Sequence, residues 1–92
     1  MRQQLEQESV DGEYARQLLN NRVFKQAWGA AEDSIISQMS EVKIRDAEMH
    51  TRLILALQIL RSVKRHIEVV LETGEMADMQ LRDPGKIRKM FR

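Results

Sequence analysis

The chain has 92 residues, no cysteine and a formal net charge of +1. This length suits one small domain, and without cysteine the chain can form neither a disulfide nor a thiolate zinc site. The longest apolar run falls well short of the roughly 20 residues of a membrane span. The polar N-terminus also lacks the apolar core of a secretory signal. We therefore expect an intracellular protein with no membrane segment.

The composition favours helices throughout. There is one proline, there are four glycines, and only 4% of the residues are aromatic. Leu, Ala, Glu, Gln, Arg and Met, all good helix formers, are abundant. The composition therefore predicts an all-α chain.

The N-terminal part of the chain predicts one short helix. Residues 1–10 are rich in Gln and Glu, which indicates a flexible N-terminus. Asp11 can cap a helix running from about Gly12 to Asn20. We place residues 11–81 in a single helical domain, followed by a basic tail over 82–92.

Two longer helices are predicted to form an antiparallel hairpin, over about 22–40 and 45–73. Asn21 is a good N-cap for the first helix, and the apolar period breaks over 40–46. Gly74 can take the left-handed conformation that commonly closes a helix. The short N-terminal helix should pack on the part of the longer helix that overhangs its partner. The apolar stripes predict this core: Phe24, Trp28, Ala31, Ile35, Leu53, Leu57, Leu60, Ile67 and Leu71.

Three aliphatic residues of the longer helix, Ile54, Leu55 and Val69, lie away from its core stripe. Each forgoes about 1.5–3 kcal/mol of burial if it stays in water. We therefore predict that they form a subunit interface in a homo-oligomer. The alternative is that the short first helix and the segment 76–81 cover them within the same chain.

The sequence carries no strong catalytic motif. It has no Gly-rich phosphate loop, no His-Glu-x-x-His and no Gly-x-Ser-x-Gly. Asp46 and His50 are spaced i, i+4, but two ligands make only half of a metal site. We expect no enzymatic activity, no metal and no cofactor.

The tail is the one strongly basic segment. Residues 82–92 hold five cations against one carboxylate, whereas residues 1–81 carry a net charge of −3. Its candidate nucleic-acid contacts are Lys86, Arg88, Lys89 and Arg92. The tail also places Ile87, Met90 and Phe91 at i, i+3 and i+4, a spacing that suits docking on a partner protein.

Two stretches, LLNNRVFKQAW (18–28) and LALQILRSVKRHIEVVLETGEMA (55–77), resemble small helical proteins of tailed bacteriophages that are encoded among virion-assembly and DNA-packaging genes. Those proteins often show Leu-Leu-x-Asn-Pro followed by Phe and Ala. The matching positions here are Leu18, Leu19, Asn21, Phe24 and Ala27, with Arg22 where proline is usual. The similarity covers about 15–77 and leaves the basic tail unmatched.

The resemblance implies a role in virion assembly or DNA packaging; with the off-stripe aliphatic residues and the missing catalytic motifs, we expect a non-catalytic, self-associating protein. It would act in the cytoplasm of the infected bacterium or in the virion, with a second copy, another phage protein or a host protein as partner. Two alternatives stay open. One is a DNA-binding module that uses the tail, either like a small terminase subunit or as a regulator. The other is a phage inhibitor that docks on a host protein.

Overall fold

The computed structural model describes residues 1–82, which form three α-helices. These are α1 (Arg2–Asn20), α2 (Arg22–Glu41) and α3 (Ala47–Arg82). The prediction of an all-α chain is confirmed. In this described part of the chain, none of the helices combines the length and apolar character that a membrane crossing requires.

The start and end of α2 follow local signals. Asn21 is extended, and its side-chain oxygen accepts a hydrogen bond from the Phe24 backbone N–H at 2.9 Å. Val42 leaves the helical conformation and ends α2. After the predicted turn, the Asp46 carboxylate accepts from the Met49 backbone N–H at 3.1 Å in the first turn of α3. The predicted helix over 22–40 is therefore confirmed, with one more residue at its end.

The first helix is much longer than predicted. It begins at Arg2, ten residues before the predicted start at Gly12, so residues 2–10 are helical. Asp11 lies inside the helix, where it accepts a hydrogen bond from the Gln7 amide at 2.9 Å instead of capping it. Arg2 and Glu6 also pair one turn apart, at 3.3 Å. Pairs at this spacing support a helix locally.

The third helix continues past its predicted end. It runs nine residues beyond 73, so the segment 76–81 and Arg82 belong to α3 and not to a separate turn or to the tail. Among the described glycines none has a positive φ, so Gly74 does not close a helix. The predicted helix end at Gly74 is wrong, because α3 continues through this glycine, which lies against Gly12 of α1.

The helices form two compact units. We call residues 1–19 together with 66–82 the terminal unit, and residues 20–65 the central unit. The terminal unit pairs α1 with the last part of α3, as predicted for the first helix. The central unit pairs α2 with the first part of α3.

In the terminal unit, α1 and α3 touch through their backbones. A Cβ atom added to Gly12 would lie 2.6 Å from the Gly74 Cα, and one added to Gly74 would lie 2.5 Å from the Gly12 Cα. Ala15 and Ala77, each three residues beyond one of these glycines, are buried. The Ser9 hydroxyl donates to the Asp78 carboxylate. The extra length of α3 thus gives residues 2–10 a packing partner, so the two boundary errors have one cause.

The central unit has a thin core. Leu53 is buried, whereas no residue of α2, which is described over its whole length, is fully buried. The Phe24 and Trp28 rings pack with centroids 5.4 Å apart. Of the nine predicted core residues in both units, Leu53 is buried and the other eight are half-buried. Two helices alone leave much of each apolar stripe open to water.

Candidate functional site

An open apolar groove lies between α2 and α3 in the central unit. It measures about 430 Å³ and is lined by Trp28, Ala31, Ile35, Ala56, Ile59, Leu60 and Val63. This volume lies in the range of small-molecule sites, but such sites place a few converging polar groups among their apolar walls. The seven lining residues include no charged, hydroxyl or amide side chain. The groove is therefore suited to another apolar surface.

Helical spacing explains why these residues meet. Trp28, Ala31 and Ile35 follow each other at i, i+3 and i+7 on α2. On α3, Ala56, the pair 59–60 and Val63 repeat the same spacing. Residues three, four and seven apart lie on one face of a helix. Each helix therefore contributes one wall.

Trp28 is held in place by a chain of polar contacts within the unit. Its indole Nε1–H donates to the Glu32 carboxylate at 2.8 Å. The other Glu32 oxygen accepts from the Arg61 guanidinium of α3 at 3.5 Å. Since the indole has only one donor, its polar requirement is met and its apolar ring is left to line the groove.

Two residues of the α3 wall are largely exposed to solvent. Ile59 is 64% exposed and Val63 is 50% exposed. Leu55, also 50% exposed, lies one turn before Ile59 and extends the same apolar strip. Single exposed aliphatic residues are common, but a continuous patch marks an interaction surface or a binding groove.

No protein-family model, curated protein or solved structure matches this chain.

The three predicted interface residues are all exposed. Ile54, Leu55 and Val69 are 43%, 50% and 40% exposed, so the alternative that the short first helix and the segment 76–81 cover them is wrong. Ile54 points about 100° around the helix from Leu55. Val69 belongs to the terminal unit. Within the central unit, Leu55 adjoins the groove and Ile54 does not.

Helix periodicity places Ala56 and Val63 in the core stripe of α3 and Ile59 at its edge, so the groove is not predicted from the sequence. All three are exposed. The apolar stripe of α3 is wide enough for neighbours on two sides, whereas within the central unit it faces one helix, α2. An apolar stripe too wide for one neighbouring helix to cover, in a unit of only two helices, is the sequence feature that predicts an exposed groove wall.

Charged side chains line a polar cleft in the terminal unit. It is lined in part by Glu13, Arg16, Glu75 and Asp78. Hydrogen bonds from the side chains of Arg16 and Gln17 lower the pKa of Glu13 below its ordinary value. The Glu13 carboxylate in turn raises the pKa of Arg16. Both groups face solvent, so their pairing supports α1 locally and creates no water-excluded site for proton transfer.

Metal binding finds no support in residues 1–82. No group of three or more His, Cys, Asp or Glu side chains in this range could hold an ion. The two predicted half-site residues have local contacts instead. Asp46 caps α3, and the His50 Nε2 lies 3.1 Å from the Lys43 carbonyl oxygen.

Charge is divided between the units. The described terminal unit has three cations and eight carboxylates, giving −5, and the central unit has eight cations and five carboxylates, giving +3. The candidate nucleic-acid contacts lie outside the described residues: Lys86, Arg88, Lys89 and Arg92. Their role stays a prediction from the sequence.

Proposed function

We propose that this chain is a non-catalytic helical protein that works by self-association, serving virion assembly or DNA packaging in a tailed bacteriophage. The observation that carries the self-association is the exposed apolar groove of the central unit. The phage role rests on the sequence resemblance around Leu18–Trp28 and 55–77. A subunit contact needs no catalytic group, which fits a chain without a recognisable catalytic motif.

The energetic argument concerns how little of the apolar surface is buried. In the described part of the chain, Ala15, Leu53 and Ala77 are the buried hydrophobic residues, while Ile59, Val63 and Leu55 are at least half exposed. Covering one such side chain contributes about 1.5–3 kcal/mol. Small domains have total stabilities of only about 5–15 kcal/mol. Association would therefore add a large share of the stability.

Light scattering across a dilution series tests self-association. We expect a mass above the 10.8 kDa of one chain at high concentration, falling towards it on dilution. Because association stabilises the folded state by mass action, Tm should also rise with protein concentration. A 10.8 kDa species with a constant Tm at every concentration would contradict the proposal.

Two single substitutions sharpen this test. Leu55→Glu places a carboxylate beside the groove and should shift dissociation to higher protein concentration. Ile44→Glu is the matched control, because Ile44 is 95% exposed in the loop between α2 and α3. It should leave the dissociation unchanged.

The phage role has its own test. Deleting the gene from its phage should leave infected cells with unfilled heads if the protein serves packaging, or without complete particles if it serves assembly. Electron microscopy of the lysates distinguishes these results. Normal numbers of filled particles would contradict both roles and favour an inhibitor of a host protein.

A further inference from the structure

We propose that the groove of the central unit receives the same groove of a second copy, so that two α2–α3 pairs pack as a two-fold four-helix contact. This inference rests on the proposed self-association and names the surface that mediates it. It assigns the contact to the Trp28 and Ile59 side of the unit. Ile54 lies outside that contact.

The arrangement of large and small side chains along the groove suits a second copy. Its walls place large side chains, Trp28, Ile59 and Val63, beside the small residues Ala31 and Ala56. In a two-fold contact, each copy can lay its large residues over the small residues of the other. Helices approach closely where small residues face large ones, and a two-fold dimer is the commonest oligomer.

The distribution of charge also favours a second copy. A two-fold axis brings residues near their own counterparts, so a charge close to the axis would meet a like charge. The central unit has thirteen charged side chains, yet the groove lining contains none of them. The ridge of α2 that continues from Ala31 holds Ala27, Ser34 and Gln38, all exposed and uncharged. On α3, the charge of Arg52, one turn before Ala56, is offset by its ion pair with Glu48. An uncharged surface matches its own copy without repulsion.

The side of α3 that carries Ile54 is more polar than the side that lines the groove. Ile54 lies one turn before Gln58 and two turns before Arg61, which is paired with Glu32. Neither of these two neighbours is apolar, so this side of α3 has no strip like the one that Leu55, Ile59 and Val63 form. Ile54 is therefore an isolated exposed aliphatic residue, of the kind that is common on protein surfaces.

Because the chain has no cysteine, one introduced cysteine reports one position. Ile59→Cys treated with a short bismaleimide crosslinker should give a species of doubled mass on a denaturing gel. Ile54→Cys is the matched control on the same helix and should give several-fold less. Equal or stronger crosslinking through Ile54→Cys would overturn the assignment of the groove.

Trp28 gives a second readout in the unmodified protein. It is the only tryptophan and it lines the groove, so its emission should shift to shorter wavelength as concentration rises and the groove closes. Ile59→Glu should abolish both the shift and the larger mass, whereas Ile54→Glu should keep both. Helical circular dichroism of each variant checks that it still folds.

The outcomes separate the two proposals. If Ile59→Glu stays folded and oligomeric, and wild-type Trp28 emission does not depend on concentration, self-association holds and the groove assignment fails. If the wild type is a monomer at every concentration, both fail and the groove is left for a different helical partner. Crosslinking through Ile59→Cys, with a mass and Trp28 emission that both depend on concentration, supports both.

Discussion

At the scale of single residues, Gly12 and Gly74 determine how α1 and α3 meet. Each has its partner's backbone where a side chain would begin. A glycine inside a helix costs roughly 0.8–1 kcal/mol relative to alanine. The close contact, with Ala15 and Ala77 buried beside it, has to offset that cost. These glycines are therefore packing residues.

Gly74→Ala tests this reading, with Gly29→Ala as the matched control. A Cβ on Gly74 would lie 2.5 Å from the Gly12 Cα and 2.9 Å from the Glu8 carbonyl oxygen, whereas one on Gly29 meets nothing within 4 Å. We expect Gly29→Ala to raise the free energy of unfolding by about 0.5–1 kcal/mol. Gly74→Ala should lower it, because overpacking typically costs about 1–3 kcal/mol.

Urea unfolding followed by circular dichroism measures both changes at one protein concentration. An equal gain in stability for the two variants would mean that the backbones of α1 and α3 do not touch. The same glycine also shows why one helix end escaped prediction. In sequence, a glycine that closes a helix looks the same as a glycine that admits a neighbouring helix, and only the contact with Gly12 distinguishes them.

At the scale of helices, boundaries with a local cause were predictable and boundaries with a distant cause were not. The start of α2 depends on the Asn21 side chain three residues from its partner, and the prediction is confirmed. The start of α1 and the end of α3 depend on each other through contacts such as that between Ser9 and Asp78, which lie 69 residues apart. No local pattern encodes such a pair.

The cap of α2 leads to a prediction at this scale. Asn21→Ala removes the side-chain oxygen that accepts from the Phe24 N–H, and losing an N-cap costs about 0.5–2 kcal/mol. Asn20→Ala is the matched control, since Asn20 is the last residue of α1 and caps no helix start. Thermal unfolding should show a lower Tm for Asn21→Ala alone. If both substitutions lower Tm by a similar amount, the loss comes from changing the junction between α1 and α2, and not from losing the cap hydrogen bond of Asn21.

The candidate site shows the same division between local and distant causes. Angular placement around α3 separated Leu53 from Leu55 correctly, because helix periodicity is a local property. It could not say how many helices would cover the stripe. Ala56 and Val63, which helix periodicity places in the core stripe, line the exposed groove instead.

At the scale of the whole molecule, the net charge of +1 is the sum of segments that carry large charges of opposite sign. The described terminal unit carries −5 and the central unit +3, while residues 83–92 carry +3. A nucleic acid would meet attraction from some parts of the chain and repulsion from others. DNA binding would therefore depend on how many tail cations reach phosphates.

Truncation after Arg82 tests the DNA-binding alternative. Fluorescence anisotropy with a short duplex at several salt concentrations should show weaker binding once Lys86, Arg88, Lys89 and Arg92 are absent. The slope of log affinity against log salt should fall by about 0.9 for each lost phosphate contact. Replacing Ile87, Met90 and Phe91 with alanine keeps every cation and serves as the control. Unchanged affinity after truncation would remove the tail from DNA binding.

The contact between α1 and α3 also supplies a criterion for recognising relatives. Both helices carry the same short pattern, Gly-x-x-Ala, at Gly12 with Ala15 and at Gly74 with Ala77. A chain with this packing needs one pair of small residues in each of two helices that lie far apart in the sequence. An Asn-capped helix such as α2 stands between those two helices. Divergent homologues could thus be identified from this paired spacing even after the rest of their sequence has changed.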